Sequence, residues 1–118
     1  MTGDITIYHN PRCSKSRATL ELLKTEGRDP RLVEYLKEPP TAKTLDAILD
    51  MLGMEPRDLM RTKEKEYREA GLDNPDLGRA ELIAAMIENP RLIERPIVVN
   101  GDRAVLGRPP ENVLELIG

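Results

Sequence analysis

The chain reads as an α/β domain built around a small mixed sheet, and three observations predict that class. A β-branched run, Ile5-Thr6-Ile7-Tyr8, is followed by an amphipathic helical stretch and a second short strand within about thirty residues, the spacing of a βαβ unit. The middle of the chain carries apolar residues at helical spacing. Near the C-terminus, Asn100-Gly101 separates two strand-like runs, a hairpin signal.

Composition bounds the rest. At 118 residues the chain is expected to form one domain, 1–118, with a helical insertion at about 41–90. There is no Trp or Phe, and Tyr8, Tyr35 and Tyr67 are the only aromatics apart from the lone histidine, so the core must be aliphatic. Charged residues make up 33% of the chain, yet apolar runs recur throughout, which predicts a folded, soluble protein. No run approaches the ~20 apolar residues of a membrane span, and the N-terminus has no basic-then-apolar signal pattern. One cysteine excludes an internal disulfide and fits a reducing compartment, so a cytoplasmic protein is expected. The net charge of −3 offers nothing to nucleic acid. A monomer is expected.

Taken in order, Asp4 to His9 is the first strand, with Ile5 and Ile7 alternating against Thr6 and Tyr8. A helix follows over Ser14 to Glu26, with Leu20 and Leu23 on one face and Gly27 as its stop. Arg31 to Tyr35 is the second strand, parallel to the first through a right-handed crossover. After Pro39-Pro40, Thr41 caps a helix bearing Leu45, Ile48, Leu49 and Leu52, stopped by Gly53. A short helix near Arg57–Arg61 and a charged one around Glu64–Ala70 come next. The loop Asp73-Asn74-Pro75 leads to a helix over Arg79 to Glu88, with Leu82, Ile83, Met86 and Ile87 inward. Arg95 opens a third strand, and Arg103 to Leu106 returns antiparallel. Pro110 starts a last helix, with Val113, Leu114 and Ile117 inward. Order βαβ, helical insert, ββα, with helices on both faces of the sheet, is the thioredoxin-like arrangement.

Chemistry concentrates where the first strand meets the first helix. Cys13 stands at the helix start, where free N–H groups favour a negative charge. Arg12, Lys15 and Arg17 lie within four residues of it and add to that field if they turn inward. A cysteine so placed has its pKa lowered from about 8.5 into the range of roughly 3.5–7.5, which makes Cys13 a candidate nucleophile. The buried structural cysteine is the alternative. In Cys13-Ser14-Lys15-Ser16 a serine stands where a dithiol oxidoreductase has its second cysteine, so a disulfide at Cys13 would join it to another molecule. Three residues separate Cys13 from Arg17. Cysteine phosphatase loops have five there, so that chemistry is set aside. His9, at the end of the first strand, is placed to keep the thiolate or to orient the loop; a structural role stands beside it. One His and one Cys do not make a metal site.

Arg61, Arg95 and Arg108 are the further candidates. Arg61 follows Leu59-Met60, Arg95 precedes Pro96 at a strand start, and Arg108 lies in Gly107-Arg108-Pro109-Pro110. Solvated surface arginine is the alternative for each. Strand ends of an open sheet gather on one rim, where three guanidiniums could hold an oxyanion by bidentate contacts. Lys63-Glu64-Lys65-Glu66, by contrast, reads as a solvated helix face.

Ile7-Tyr8-His9-Asn10-Pro11, then Cys13, then Ser16-Arg17 and Thr19-Leu20, resembles the glutaredoxin-linked arsenate reductases, the thioredoxin-fold ArsC family. Tyr35-Leu36 with Pro39-Pro40, Leu59-Met60-Arg61, Glu94 to Val99 and Gly107-Arg108-Pro109 keep the family's order over nearly the whole chain. The resemblance implies that Cys13 attacks arsenate, that Arg61, Arg95 and Arg108 hold the oxyanion, and that His9 and Ser16 serve the thiol. It implies a cis Arg95–Pro96 bond, no bound cofactor, glutathione as co-substrate and glutaredoxin as partner. Ser14-Lys15 departs from the Gly-Thr of familiar members, and the chain lacks the C-terminal tail that some carry. Two other classes share part of the pattern. Spx-type regulators, which bind RNA polymerase, have the fold and the Arg-Pro-Ile strand, but typically carry Cys-x-x-Cys and lack the last arginine. A single-cysteine glutaredoxin-like oxidoreductase would need neither Arg61 nor Arg108.

Overall fold

The structure is a computed structural model that describes residues 5–117. Asp4, the expected opening residue of the first strand, lies outside them. Alternation sets the first strand, β1 (Ile5–Tyr8), with Ile5 and Ile7 buried and Thr6 and Tyr8 half-buried. Helix α1 (Ser14–Thr25) comes next. It ends where expected: Gly27 takes φ +80°, and the Gly27 and Arg28 N–H groups bond Lys24 O and Leu23 O at 3.0 and 2.9 Å. That left-handed turn is open to glycine at little cost.

Strand β2 (Arg31–Val33) pairs parallel with β1, Ile7 opposite Leu32. It stops two residues before Tyr35, because the Lys37 and Glu38 N–H groups both turn back to Glu34 O at 2.9 Å. Strand β3 (Ile97–Asn100) is antiparallel to β1, and β4 (Arg103–Leu106) antiparallel to β3, so the sheet order is β2-β1-β3-β4. The hairpin forms with its turn one residue later than Asn100-Gly101 suggests. Asn100 stays in the strand opposite Arg103, and its side-chain amide donates to Leu116 O at 2.7 Å.

The chain divides into two compact units, one of residues 1–38 and 95–118, the other of residues 39–94. The second unit is helical. Helix α2 (Ala42–Leu52) is capped by the Thr41 hydroxyl, which accepts from Thr44 N–H at 3.1 Å, and it ends at Gly53. A 3-10 turn at Pro56–Leu59, α3 (Lys65–Glu69), α4 (Arg79–Glu88) and a second 3-10 turn at Pro90–Leu92 complete it. On α4 the buried residues are Leu82, Ile83, Ala85 and Met86; Ile87 is half-buried. Two arginines tie this unit together. Arg79 reaches Asp46 Oδ1 at 2.7 Å and Asp50 Oδ1 at 3.0 Å. Arg57 donates to Leu72 O and Asn74 O at 3.1 and 2.6 Å.

The first unit holds the sheet. Ile5, Ile7 and Val98 from the strands, Leu23 from α1, and Val113 and Leu116 from the C-terminal segment form a buried aliphatic cluster. Burying one such side chain contributes roughly 1.5–3 kcal/mol. The C-terminal segment departs from the expected helix. Residues Pro110–Val113 form a 3-10 turn before α5 (Leu114–Ile117). The tighter turn shifts the phase of the helix after it, so Val113 and Leu116 point inward while Leu114 is 40% exposed. Among the described residues no helix is long and apolar enough to cross a membrane.

Candidate active site

Asn10-Pro11 makes the turn that delivers Cys13 to the head of α1. Asn10 Oδ1 accepts from Arg12 N–H at 3.0 Å, and Asn10 O accepts from Cys13 N–H at 3.0 Å. Cys13 is the N-cap residue, extended at φ −94° and ψ 124°. Its neutral side chain makes no cap hydrogen bond, but ionisation suits the position. Partial burial pushes the thiol up. The N–H groups of Ser16 and then Lys15, the positive charge of Arg95 and a hydrogen bond from its guanidinium outweigh that, and the net displacement is downward. In N-cap terms the thiolate stands where a Ser or Asp oxygen would accept from the second and third residues of the helix.

The cation at the thiol is therefore Arg95, from the head of β3. Arg12, Lys15 and Arg17 are exposed; Arg17 Nη1 bonds Pro11 O at 2.9 Å and so braces the turn. Arg95 Nε is buried and makes no hydrogen bond among the described residues, a costly state for a charged donor unless an acceptor arrives. Arg108 lies beside it, its Nη1 donating to Arg95 O at 3.2 Å. The peptide bonds Arg95–Pro96 and Arg108–Pro109 are both cis; the first matches the expectation, and no sequence signal marked the second.

His9 and Ser16 meet. Both are buried, and His9 Nδ1 shares a hydrogen bond with Ser16 Oγ at 2.6 Å. Ser16 Oγ also accepts from Asn10 N–H at 3.0 Å. The histidine is held below its usual range, chiefly by burial. Glu34 opposes this, and the charges of Arg17 and Lys24 add to it. The hydroxyl of Ser16 thus fixes histidine and turn, while its main-chain N–H serves the thiolate.

Two residues of this site, Thr19 and Gly107, stand in the sequence only within motifs of the resemblance, with no role assigned to them. Thr19 is fully buried on α1, and its hydroxyl donates to Lys15 O at 2.8 Å and to Gly107 O at 3.3 Å. Gly107, buried at the end of β4, donates to Pro96 O at 2.9 Å. A Cβ on Gly107 would fall 2.8 Å from Pro96 Cγ and 2.9 Å from Thr19 Cγ2. The backbones next to Arg95 and Arg108 are thereby locked to each other and to the helix behind Cys13. A periodicity search for apolar faces overlooks the stripe Ser16, Thr19, Leu23, because two of its three buried members are polar.

Arg61 belongs to the second unit. Its N–H bonds Leu92 O at 2.7 Å, and its guanidinium reaches Glu64 Oε2 at 3.5 Å. Glu64 is shared with Arg91 at 3.4 Å, and Arg91 also meets Glu66 at 3.4 Å. The expectation of a merely solvated face for Lys63-Glu64-Lys65-Glu66 is thus corrected: the two glutamates are half-buried and paired with Arg61 and Arg91, while both lysines stay exposed.

The profile of the ArsC family matches residues 8–116. The chain belongs to the ArsC family. Among similar proteins, YfgD of Escherichia coli, an uncharacterized protein, is 54% identical over the full length of both chains. A protein of Haemophilus influenzae named arsenate reductase is 50% identical over 96% of this chain and 98% of its own. The solved structure of an arsenate reductase from Vibrio cholerae superposes with a TM-score of 0.94 at 47% identity, covering 98% of each chain. The βαβ and ββα blocks of this ArsC-family chain are accordingly the thioredoxin-like frame.

Proposed function

We propose that the protein is an arsenate reductase coupled to glutathione and glutaredoxin, working as a monomer in the cytoplasm. Cys13 thiolate attacks arsenic and one oxygen leaves as water. Glutathione displaces a second oxygen of the Cys13-bound arsenic as water, and a glutaredoxin thiol takes up the glutathione sulfur as a disulfide, leaving the electron pair of that arsenic–sulfur bond on arsenic. One water then displaces Cys13 from the arsenic, now reduced by two electrons, and arsenite leaves. The balance is arsenic acid plus two thiols giving arsenous acid, one disulfide and water. Arg95 and Arg108 bind the oxyanion and the charge that develops on it. His9 and Ser16 hold the turn that presents the thiol.

The observation that carries this reading is the pairing of Cys13 with Arg95, whose buried Nε has no acceptor among the described residues. A nucleophile beside an unmet guanidinium donor suits an anionic electrophile. Relatives named arsenate reductase supply the substrate. The test is a coupled assay with arsenate, glutathione, glutaredoxin, glutathione reductase and NADPH. Arsenate-dependent NADPH oxidation that requires Cys13 is expected. No arsenate dependence, or sustained turnover with thioredoxin alone, overturns the reading.

A further inference from the structure

A cleft of about 360 Å³ lies beside the turn that carries Cys13. One wall is residues 9–12, the run that ends at the cysteine; the other is Glu34, Leu36 and Lys37, just after β2. Its size is at the lower end of the roughly 300–1,000 Å³ in which small-molecule sites fall. The wall on the cysteine side is fixed rather than loose. Asn10 O holds Cys13 N–H, Asn10 N–H holds Ser16 Oγ, and the His9 ring holds the same oxygen.

The cleft's charge pattern is specific. Arg12 and Lys37 supply two cations, Glu34 one carboxylate, and Pro11 and Leu36 an apolar floor. Glu34 and Lys37 face each other at 3.7 Å, but both are solvent-exposed, so the pair is weak and can be exchanged for contacts to a ligand. The chain has one cysteine, so a second thiol delivering electrons to a species bound at Cys13 must come from another molecule. A ligand with two carboxylates, one ammonium and a thiol complements this pattern.

We propose that this cleft is the seat of the reducing thiol and that it takes glutathione as a zwitterion. Arg12 and Lys37 bind its carboxylates and Glu34 its ammonium, leaving the sulfur directed toward Cys13. The inference rests on the glutathione-dependent reading and adds the site that reading lacks.

Binding and turnover are measured separately. The unreactive probe S-methylglutathione is titrated into the full chain and followed by amide NMR. Shifts are expected at residues 9–12 and 34–37. Arg12→Glu and Lys37→Glu should each weaken binding by about fivefold or more, with Cys13 alkylation by uncharged iodoacetamide unchanged as the check on folding. In turnover the same variants should raise the KM for glutathione while leaving the KM for arsenate within about twofold. With the diethyl ester of glutathione, whose carboxylates are masked, variants and parent should perform alike. Shifts elsewhere, no binding, or equal binding by the variants overturns the cleft. Turnover without binding at the cleft leaves the arsenate reading standing and removes this one. Binding at the cleft without arsenate reduction does the reverse.

Discussion

At the scale of single residues, the site is a contest between burial and hydrogen bonding, and the direction of each titration is set by which prevails. For Cys13 the N–H groups of Ser16 and Lys15 and the guanidinium of Arg95 prevail. The rate of alkylation against pH should therefore have its midpoint below the roughly 8.5 of a free thiol, and Arg95→Met should move it upward. A midpoint at or above the free value would refute this account. For His9 burial prevails and the folded group is held low. Between the folded value and about 6.5, the unfolded chain binds the proton and the folded chain does not. Stability should therefore fall as pH drops from about 6.5, and His9→Gln should flatten that slope in urea titrations run across the window. For the oxyanion, Arg95→Lys and Arg108→Lys should each cost on the order of 1.5–3 kcal/mol of arsenate affinity, seen as a rise in KM at unchanged fold. Arg68→Lys, an exposed position, is the suitable control. Arg79 is not, because it bridges Asp46 and Asp50.

At the scale of elements, the features legible in the sequence were those that repeat or punctuate. Alternation in Ile5 to Tyr8 gave β1, Thr41 and Gly53 bounded α2, and the position of Cys13 after a strand and before a helix marked the thiol at the helix N-cap. Contacts between distant segments had no such mark. Arg95 as the cation at the thiol, Glu64 as the partner of Arg61, and the 3-10 turn that rotates Leu116 inward in place of Leu114 are settled by packing across the fold. The lock of Thr19, Gly107 and Pro96 is the clearest case. Gly107→Ala places a methyl group inside van der Waals contact of both neighbours, so a loss of about 1–3 kcal/mol is expected, read as a lower urea midpoint at constant slope. The same variant should raise the KM for arsenate, since Gly107 sets the backbone of Arg108. Wild-type stability in Gly107→Ala would mean that the lock yields freely.

At the scale of the whole molecule, a net charge of −3 coexists with a thiol whose pKa is lowered beside Arg95, and that thiol is the only one in the chain. Purified protein given arsenate without added thiol should therefore release no arsenite beyond the level of its own reducing equivalents, whatever its concentration. The KM for arsenate should also climb with ionic strength, as the half-buried guanidinium of Arg95 and the exposed one of Arg108 are screened over a Debye length of about 8–10 Å.

Strand order has a consequence for how the protein is born. The central strands β1 and β3 come from opposite ends of the chain, separated by the whole of the second unit. On the ribosome Cys13 emerges some eighty residues before Arg95. During that interval β1 lacks its antiparallel neighbour and the helix behind the thiol lacks the Val113 and Leu116 against which it packs. A nascent chain therefore carries an ordinary, slow-reacting thiol. The lowered thiol pKa should be acquired only when synthesis has passed β4 and the last turn. A chain truncated at Glu94 should alkylate at the rate of a simple cysteine peptide.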